Sequence, residues 1–245
     1  MTQGIYTILE NRPLTASVRL MRLGGDTAAI TRPGQFVNVR LEGRFLRRPI
    51  SVCDWREGEI TLVYKVVGAG TAQMAAMRDG TLDLLVGLGN GYDTADAGEA
   101  PLLIGGGVGV PPLYGLARRL IDAGRRVSVI LGFNTAAEIF YEKEFAALGA
   151  SVTVATADGS AGVRGFVTDA MKRTAPYTYF YTCGPEPMLR AVYAAAASEG
   201  QFSFEERMGC GFGACMGCSC RTVTGYKRIC REGPVLRKEE ILWEK

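Results

Sequence analysis

Four cysteines near the C-terminal end, Cys210, Cys215, Cys218 and Cys230, lie in the stretch CGFGACMGCSCRTVTGYKRIC. The first three follow C-x4-C-x2-C, and eleven residues separate the third from the fourth. That opening triplet is the plant-type thiolate spacing for a 2Fe–2S cluster. Four thiolates also suit tetrahedral zinc, but two separated C-x2-C pairs would favour zinc, and only one such pair occurs here. Gly209, Gly211, Gly213 and Gly217 are interleaved with the cysteines. Lacking Cβ atoms, they let backbone N–H groups come close to cluster sulfides. The chain has no histidine, which excludes a Rieske-type site. Cys220 is a fifth candidate, expected to begin the strand CRTVT and face the core as a structural residue. Cys215 and Cys218 are expected to share a loop around one iron. Such a centre moves single electrons.

Four further segments have residues suited to phosphate or nucleotide chemistry. In Arg48-Pro49-Ile50-Ser51 a forked guanidinium suits a phosphate, and the serine can donate to a flavin ring or a phosphate. Gly68-Ala69-Gly70-Thr71 is a glycine turn feeding a helix start, where free N–H groups favour an anion and Thr71 can cap the helix or touch the same phosphate. Together with Arg48 it reads as a diphosphate clamp. IGGGVGVPPLYGLARR, from Ile104 to Arg119, follows a strand and opens a helix, the setting of a nucleotide-binding turn. It departs from G-x-G-x-x-G, because Gly105 and Gly107 are followed by Val110, with Gly106 and Gly109 outside the pattern. Cys183-Gly184-Pro185-Glu186 follows the strand YTYFYT, at the carboxyl end where open parallel sheets bind ligands. Cys53, inside ISVCDW, reads as core.

The elements that must position these residues are legible in outline. SVRLMRL, GQFVNVRL, ISVCDW, EITLVYKVV and LDLLVGLG are short strands separated by turn residues, which predicts an antiparallel barrel or sandwich over residues 1–95, interrupted by one short helix at TAQMAAM. Residues 96–200 alternate strands and helices, which predicts a doubly wound parallel sheet. AAEIFYEKEFAALG, VTDAMKRTAP and the alanine-rich AVYAAAASEG read as helices. Residues 201–245 form a small cysteine module. The 245 residues are 47% hydrophobic, enough for each unit to build a core. Net charge is only +3, which gives no reason to expect nucleic acid or an anionic membrane as partner. No apolar run approaches the length of a membrane span, and MTQGIYTILENRPL lacks signal-peptide patterning. Seven cysteines in that context predict reduced thiols and a cytoplasmic protein.

RPIS, GAGT, GGGVGVPPL and CGPEPML, in that order, resemble the ferredoxin–NADP reductase superfamily, in which a flavin barrel precedes a nicotinamide-binding domain. The cysteine stretch and its trailing Glu232-Gly233-Pro234-Val235 narrow the match. Nearly the whole chain resembles the electron-transfer subunits of class 1B dihydroorotate dehydrogenases. The resemblance implies that Arg48, Pro49, Ile50 and Ser51 bind FAD, with Val63, Tyr64 and Lys65 lining the flavin and Gly70 and Thr71 holding its diphosphate. Ile50 stands where many relatives outside the subfamily have tyrosine. The resemblance further implies Cys210, Cys215, Cys218 and Cys230 as cluster ligands, Gly105, Gly106, Gly107 and Gly109 against the diphosphate of NAD, and Cys183 with Gly184 near the nicotinamide. Gly132-Phe133-Asn134-Thr135, after the second strand of the nucleotide unit, holds no cation for a 2′-phosphate, so NAD is favoured over NADP. No residue is expected to act as catalytic acid or base. Dihydroorotate oxidation is expected on a separate FMN-containing subunit, in a heterotetramer of two of each chain serving pyrimidine biosynthesis. The alternatives are the small flavin and iron–sulfur subunit of a ferredoxin-dependent transhydrogenase or sulfide dehydrogenase, and a non-catalytic zinc-stabilised nucleotide sensor.

Overall fold

The computed structural model describes residues 1–243 of the chain. Strands β1 (Thr2–Pro13), β2 (Val18–Gly24), β3 (Phe36–Val39), β4 (Arg48–Arg56), β5 (Glu59–Lys65) and β6 (Thr81–Leu88) close an antiparallel barrel in the order β1-β2-β5-β4-β3-β6. Helix α1 (Ala69–Ala76) sits between β5 and β6. Alternation along the strands decides the inside. Val37, Val39, Leu62, Tyr64, Leu84 and Val86 point into one buried cluster. The sequence reading missed β1. A bulge between Ile8 and Glu10 breaks its register, and before it strict alternation turns Ile5 and Leu9 to solvent while Tyr6 and Ile8 are buried.

The second unit is a sheet of seven strands: β10 (Val163–Arg164), β9 (Ser151–Thr156), β8 (Ser128–Phe133), β7 (Pro101–Gly106), β11 (Tyr179–Cys183), β12 (Gly200–Ser203) and β15 (Val235–Arg237), in that spatial order. All neighbours are parallel except β12 and β15. Helices α2 (Pro112–Asp122), α3 (Glu142–Ala147), α4 (Val167–Met171) and α5 (Glu186–Ala195) supply the crossovers. Strand β7 is continuous with β8 on one side and β11 on the other, so the order reverses between β7 and β11. Ligand crevices of open sheets form outside the carboxyl ends at such a switch point. The sheet also runs past residue 200, since β12 and β15 come from the segment read as the cysteine module. The remainder of that segment carries the hairpin β13 (Ser219–Thr222) and β14 (Gly225–Arg228).

Two helix expectations differ from the structure. AAEIFYEKEFAALG gives a single turn at Ala136–Glu138 and then α3, with Tyr141 between them at φ +66°. Consecutive Phe140 and Tyr141 are both buried, packing edge-to-face with Phe133 and Tyr114. A continuous helix would splay two adjacent side chains about 100° apart. The alanine run stops being helical at Ala195, because Ala196 turns extended and is buried in the core ahead of β12.

Barrel and sheet pack together through α2 and β4. Gly115 allows the approach, since a Cβ there would lie 3.0 Å from the Cys53 carbonyl oxygen. Arg118 pairs with Asp54, and the Arg119 guanidinium lies 4.3 Å from the Trp55 ring centroid. Cys53 is core, as expected from the sequence, and burial pushes its thiol well up. Among the described residues no helix is long and apolar enough to cross a membrane.

Candidate cofactor-binding site

The β3–β4 ladder sets the first cofactor surface. Pro49 stands opposite Asn38, Ile50 opposite Val37 and Ser51 opposite Phe36, and all of Arg48–Ser51 are partly exposed. The structure brings the tetrapeptide to the glycine turn: an ideal Cβ on Gly70 would lie 2.3 Å from Arg48 Nε. Thr71 is buried, and its hydroxyl is used locally. It accepts from the backbone N–H of Val67 and Gly68 and donates to the Gly68 carbonyl. The first N–H groups of α1 therefore remain available to an anion, while the threonine caps the helix rather than reaching outward.

On β5 the three predicted residues divide by the strand's twofold alternation. Val63 packs between the two units, and Lys65 is exposed. The Tyr64 side chain points the other way, into the barrel, where its hydroxyl donates to Asn11 Oδ1 at 3.2 Å. Tyr64 thus offers only its backbone on the outer face.

The glycine turn and the Cys183 segment form one packed unit. Gly107, at φ +52°, opens a single turn through Gly109, and Pro111-Pro112 start α2. A Cβ on Gly109 would lie 2.2 Å from the Cys183 carbonyl oxygen, and one on Gly106 would lie 2.4 Å from Met188 Sδ. A Cβ on Gly184 would lie 3.2 Å from the Gly106 nitrogen. Gly105 is in register with Cys183 across β7 and β11, and its own Cβ would meet Val110. These glycines allow close backbone packing, which leaves the turn's N–H groups at the switch point. Cys183 is 2% exposed, and burial pushes its thiol well up, so it is a neutral wall and not a nucleophile. Beyond β8 the Glu138 carboxylate accepts from the Asn134 backbone N–H at 3.2 Å and from its side-chain amide at 3.0 Å. The sequence reading noted the missing cation there but not this carboxylate.

The cysteine loop lies against the barrel edge. The Cys210 sulfur accepts from the N–H groups of Ala214 and Cys215 at 3.2 and 3.4 Å, and the Cys218 sulfur from the Cys230 N–H at 3.4 Å. Burial pushes the Cys210 thiol up, but N–H donation from Phe212, Cys215 and Ala214 brings it down to about 6. Burial, then the neighbouring Cys218 sulfur, push Cys230 up to about 12. Among the described residues no three thiol or carboxylate groups converge on one ion position. Two of the sulfurs each accept from the backbone N–H of another cysteine, Cys210 from Cys215 and Cys218 from Cys230. Gly209 and Gly217 stand beside the Cys215 sulfur, where a Cβ would lie 3.3 and 3.6 Å away. Cys220 is partly buried on β13 and packs against the apolar cluster.

Three polar residues that the sequence reading did not single out hold the loop. Arg228 ion-pairs with Glu232 and donates to the Gly213 carbonyl at 2.6 Å. Asn90, at the end of β6, donates to the carbonyls of Glu232 and Val235 and accepts from the Val235 N–H. Asn38 donates to the Cys210 carbonyl at 3.1 Å. For Asn38 the available signal was an amide inside the apolar run FVNV.

The family described as "Iron-sulfur cluster binding domain of dihydroorotate dehydrogenase B" matches residues 205–242, and "Oxidoreductase NAD-binding domain" matches residues 103–194. A "Dihydroorotate dehydrogenase B (NAD(+)), electron transfer subunit" from Geobacillus sp. (strain WCH70) is 42% identical over 256 residues, covering 99% of each chain. Its counterpart from Bacillus caldolyticus is 45% identical over 94% of this chain and 91% of its own. Among solved structures, one described as an NADH-dependent reduced ferredoxin-NADP oxidoreductase aligns with a TM-score of 0.89 at 30% identity, covering 98% of this chain and 90% of that one. A ferredoxin NADP+ reductase from Neisseria gonorrhoeae with bound FAD and NADP shares the fold, with a TM-score of 0.70 at 18% identity over 80% of this chain and 90% of its own. Barrel, switch-point turn, cysteine loop and these relatives converge: the chain belongs to the family of electron transfer subunits of dihydroorotate dehydrogenase B.

Proposed function

We propose that this chain passes electrons between NAD and a partner dihydroorotate dehydrogenase subunit carrying FMN, through FAD and a 2Fe–2S cluster of its own, in pyrimidine biosynthesis. One observation carries the reading. The barrel edge with Arg48–Ser51 touches both other parts: β5 packs on the Gly107–Gly109 turn, and β3 holds the Cys210 loop. A flavin on that edge would stand between a two-electron donor and a one-electron acceptor.

Arg48 and the first N–H groups of α1 would hold the FAD diphosphate, with Pro49, Ile50, Ser51, Val63 and Lys65 around the ring and Tyr64 and Thr71 supporting through the backbone. Gly105, Gly106, Gly107 and Gly109 would receive the NAD diphosphate, and Cys183 and Gly184 would wall the nicotinamide. Cys210, Cys215, Cys218 and Cys230 would hold the cluster. When bound, FAD supplies the conversion between hydride and single-electron transfer, which no side chain can perform. The side chains position the rings and exclude water, and none need move a proton as a catalytic acid or base.

The units 1–95, 96–200 and 201–245, with β12 and β15 completing the sheet of the second, a heterotetramer of two of each subunit, and a cytoplasmic location are parts of the same proposal. The decisive experiment joins this chain to its native partner and follows dihydroorotate-dependent reduction of NAD. The complex should carry it out, and the isolated chain should not. The 30% identity to a ferredoxin-NADP oxidoreductase structure favours a second reading, with ferredoxin as the other redox partner. Reduction of NAD by ferredoxin, without dihydroorotate activity in the complex, would establish that reading instead.

A further inference from the structure

Asn38 is 1% exposed, in the otherwise apolar strand Phe36-Val37-Asn38-Val39. Across one ladder it faces Pro49, inside the segment assigned to the flavin, and across the other it faces Leu85. Its Nδ2 donates to the Cys210 carbonyl at 3.1 Å. Gly211, at φ +77°, is pressed so close that a Cβ would lie 2.3 Å from the same nitrogen. The Asn38 main-chain carbonyl accepts from Arg47 Nη1, which also grips Asp83 on β6. The strand carrying this amide is therefore itself clamped.

Asn38 Oδ1 is the one buried side-chain nitrogen or oxygen without a partner among the described residues. A buried acceptor left unpaired is a cost that a leucine of similar shape would not incur. The use of the amide must then lie in the bond it does make. Among the described residues that bond is the only one from a barrel side chain to the ligand loop between residues 209 and 218.

We propose that Asn38 is a positioning residue for electron transfer: its amide fixes the Cys210 end of the cluster loop on the flavin-binding edge of the barrel, and so sets how the two cofactors stand to each other. The inference rests on the cofactor reading above and adds to it a single side chain that fixes their relative geometry.

The test compares wild type with Asn38→Leu in the full chain loaded with FAD and cluster. FAD and iron per chain, the EPR spectrum of the reduced cluster, and the separate rates of flavin and cluster bleaching by NADH are measured. Asn38→Leu should keep both cofactors and bleach its flavin at the wild-type rate. Its EPR signal should shift, and cluster bleaching should slow at least fivefold. A wild-type EPR signal and bleaching rate would overturn the proposal, as would slowing only in proportion to iron lost. Should leucine prevent cluster assembly, Asn38→Ser leaves room for a water to bridge to Cys210. Serine should then shift the EPR signal and slow cluster bleaching relative to wild type, or lose iron with FAD retained. Wild-type values, or loss of FAD together with iron, would overturn the proposal. Failure of the cofactor reading itself looks different, since the wild-type chain would then carry no flavin or no cluster.

Discussion

The Arg48 side chain lies on the backbone of Gly70, so close that a Cβ on the glycine would stand 2.3 Å from Arg48 Nε. This contact joins the two halves of the proposed FAD clamp and makes a testable conflict. Gly70→Ala should stabilise α1 in the apoprotein by up to about 1 kcal/mol, because alanine favours helix. It should also push the guanidinium off its seat. FAD affinity should fall about tenfold, equivalent to about 1.4 kcal/mol. Thermal melting of the apoprotein and FAD titration should therefore move in opposite directions.

Gly109 meets backbone instead, 2.2 Å from the Cys183 carbonyl oxygen to the position of an added Cβ. A peptide group in a sheet cannot swing away as an arginine can. Gly109→Ala should destabilise the nucleotide unit by about 1–3 kcal/mol, the usual cost of overpacking. NADH should reduce the bound flavin more slowly, with FAD content unchanged. Urea unfolding and stopped-flow bleaching measure the two effects.

The thiols are separable by iron analysis. Cys215 is exposed, so Cys215→Ser should leave the fold intact and abolish the cluster. Cys220 packs against the apolar cluster, so Cys220→Ser should retain a full complement of two irons per chain. Loss of iron from the Cys220 variant would show that the ligand set is misassigned.

At the end of β8 the carboxylate of Glu138 stands where a dinucleotide ribose is recognised in open sheets. A 2′-phosphate would meet that charge. Glu138→Arg should shift the ratio of kcat/KM for NADPH over NADH upward by at least tenfold, measured as reduction of an artificial acceptor by the isolated subunit.

The barrel should show an acid-sensitive ion pair. Hydrogen bonds from Arg22, then from Arg56, hold the Glu59 carboxyl down at about 2, against an ordinary value of 4.5. Because the folded value is depressed, the stabilisation is fully present above about 4.5 and is lost as pH falls toward about 2. Glu59→Gln should lower stability at neutral pH and flatten the acid limb between those values. Urea midpoints of the apoprotein across that range check it.

The sequence carried more of the chemistry than of the geometry. The glycine turns were legible because tight turns and close backbone packing restrict residue type locally. Strand β1 was not, because apolar Ile5 and Leu9 face solvent beside buried Tyr6 and Ile8, so its apolar residues do not alternate with polar ones. The helix expected over AAEIFYEKEFAALG failed for a related reason. Its local propensity is helical, and the burial of adjacent Phe140 and Tyr141 overrides it.

By itself, the sequence determined the groups on offer: four closely spaced thiols, glycine turns at two helix starts, and no cation after the second strand of the nucleotide unit. Ligation and backbone conformation depend on residue type and short spacing, which a sequence displays directly. Only the tertiary structure decided that Tyr64 turns into the barrel while Val63 and Lys65 face outward, and that Asn38 meets Cys210, 172 positions away in the chain. Those outcomes depend on strand register and on surfaces brought together by packing, and neither is encoded in a local run of residues.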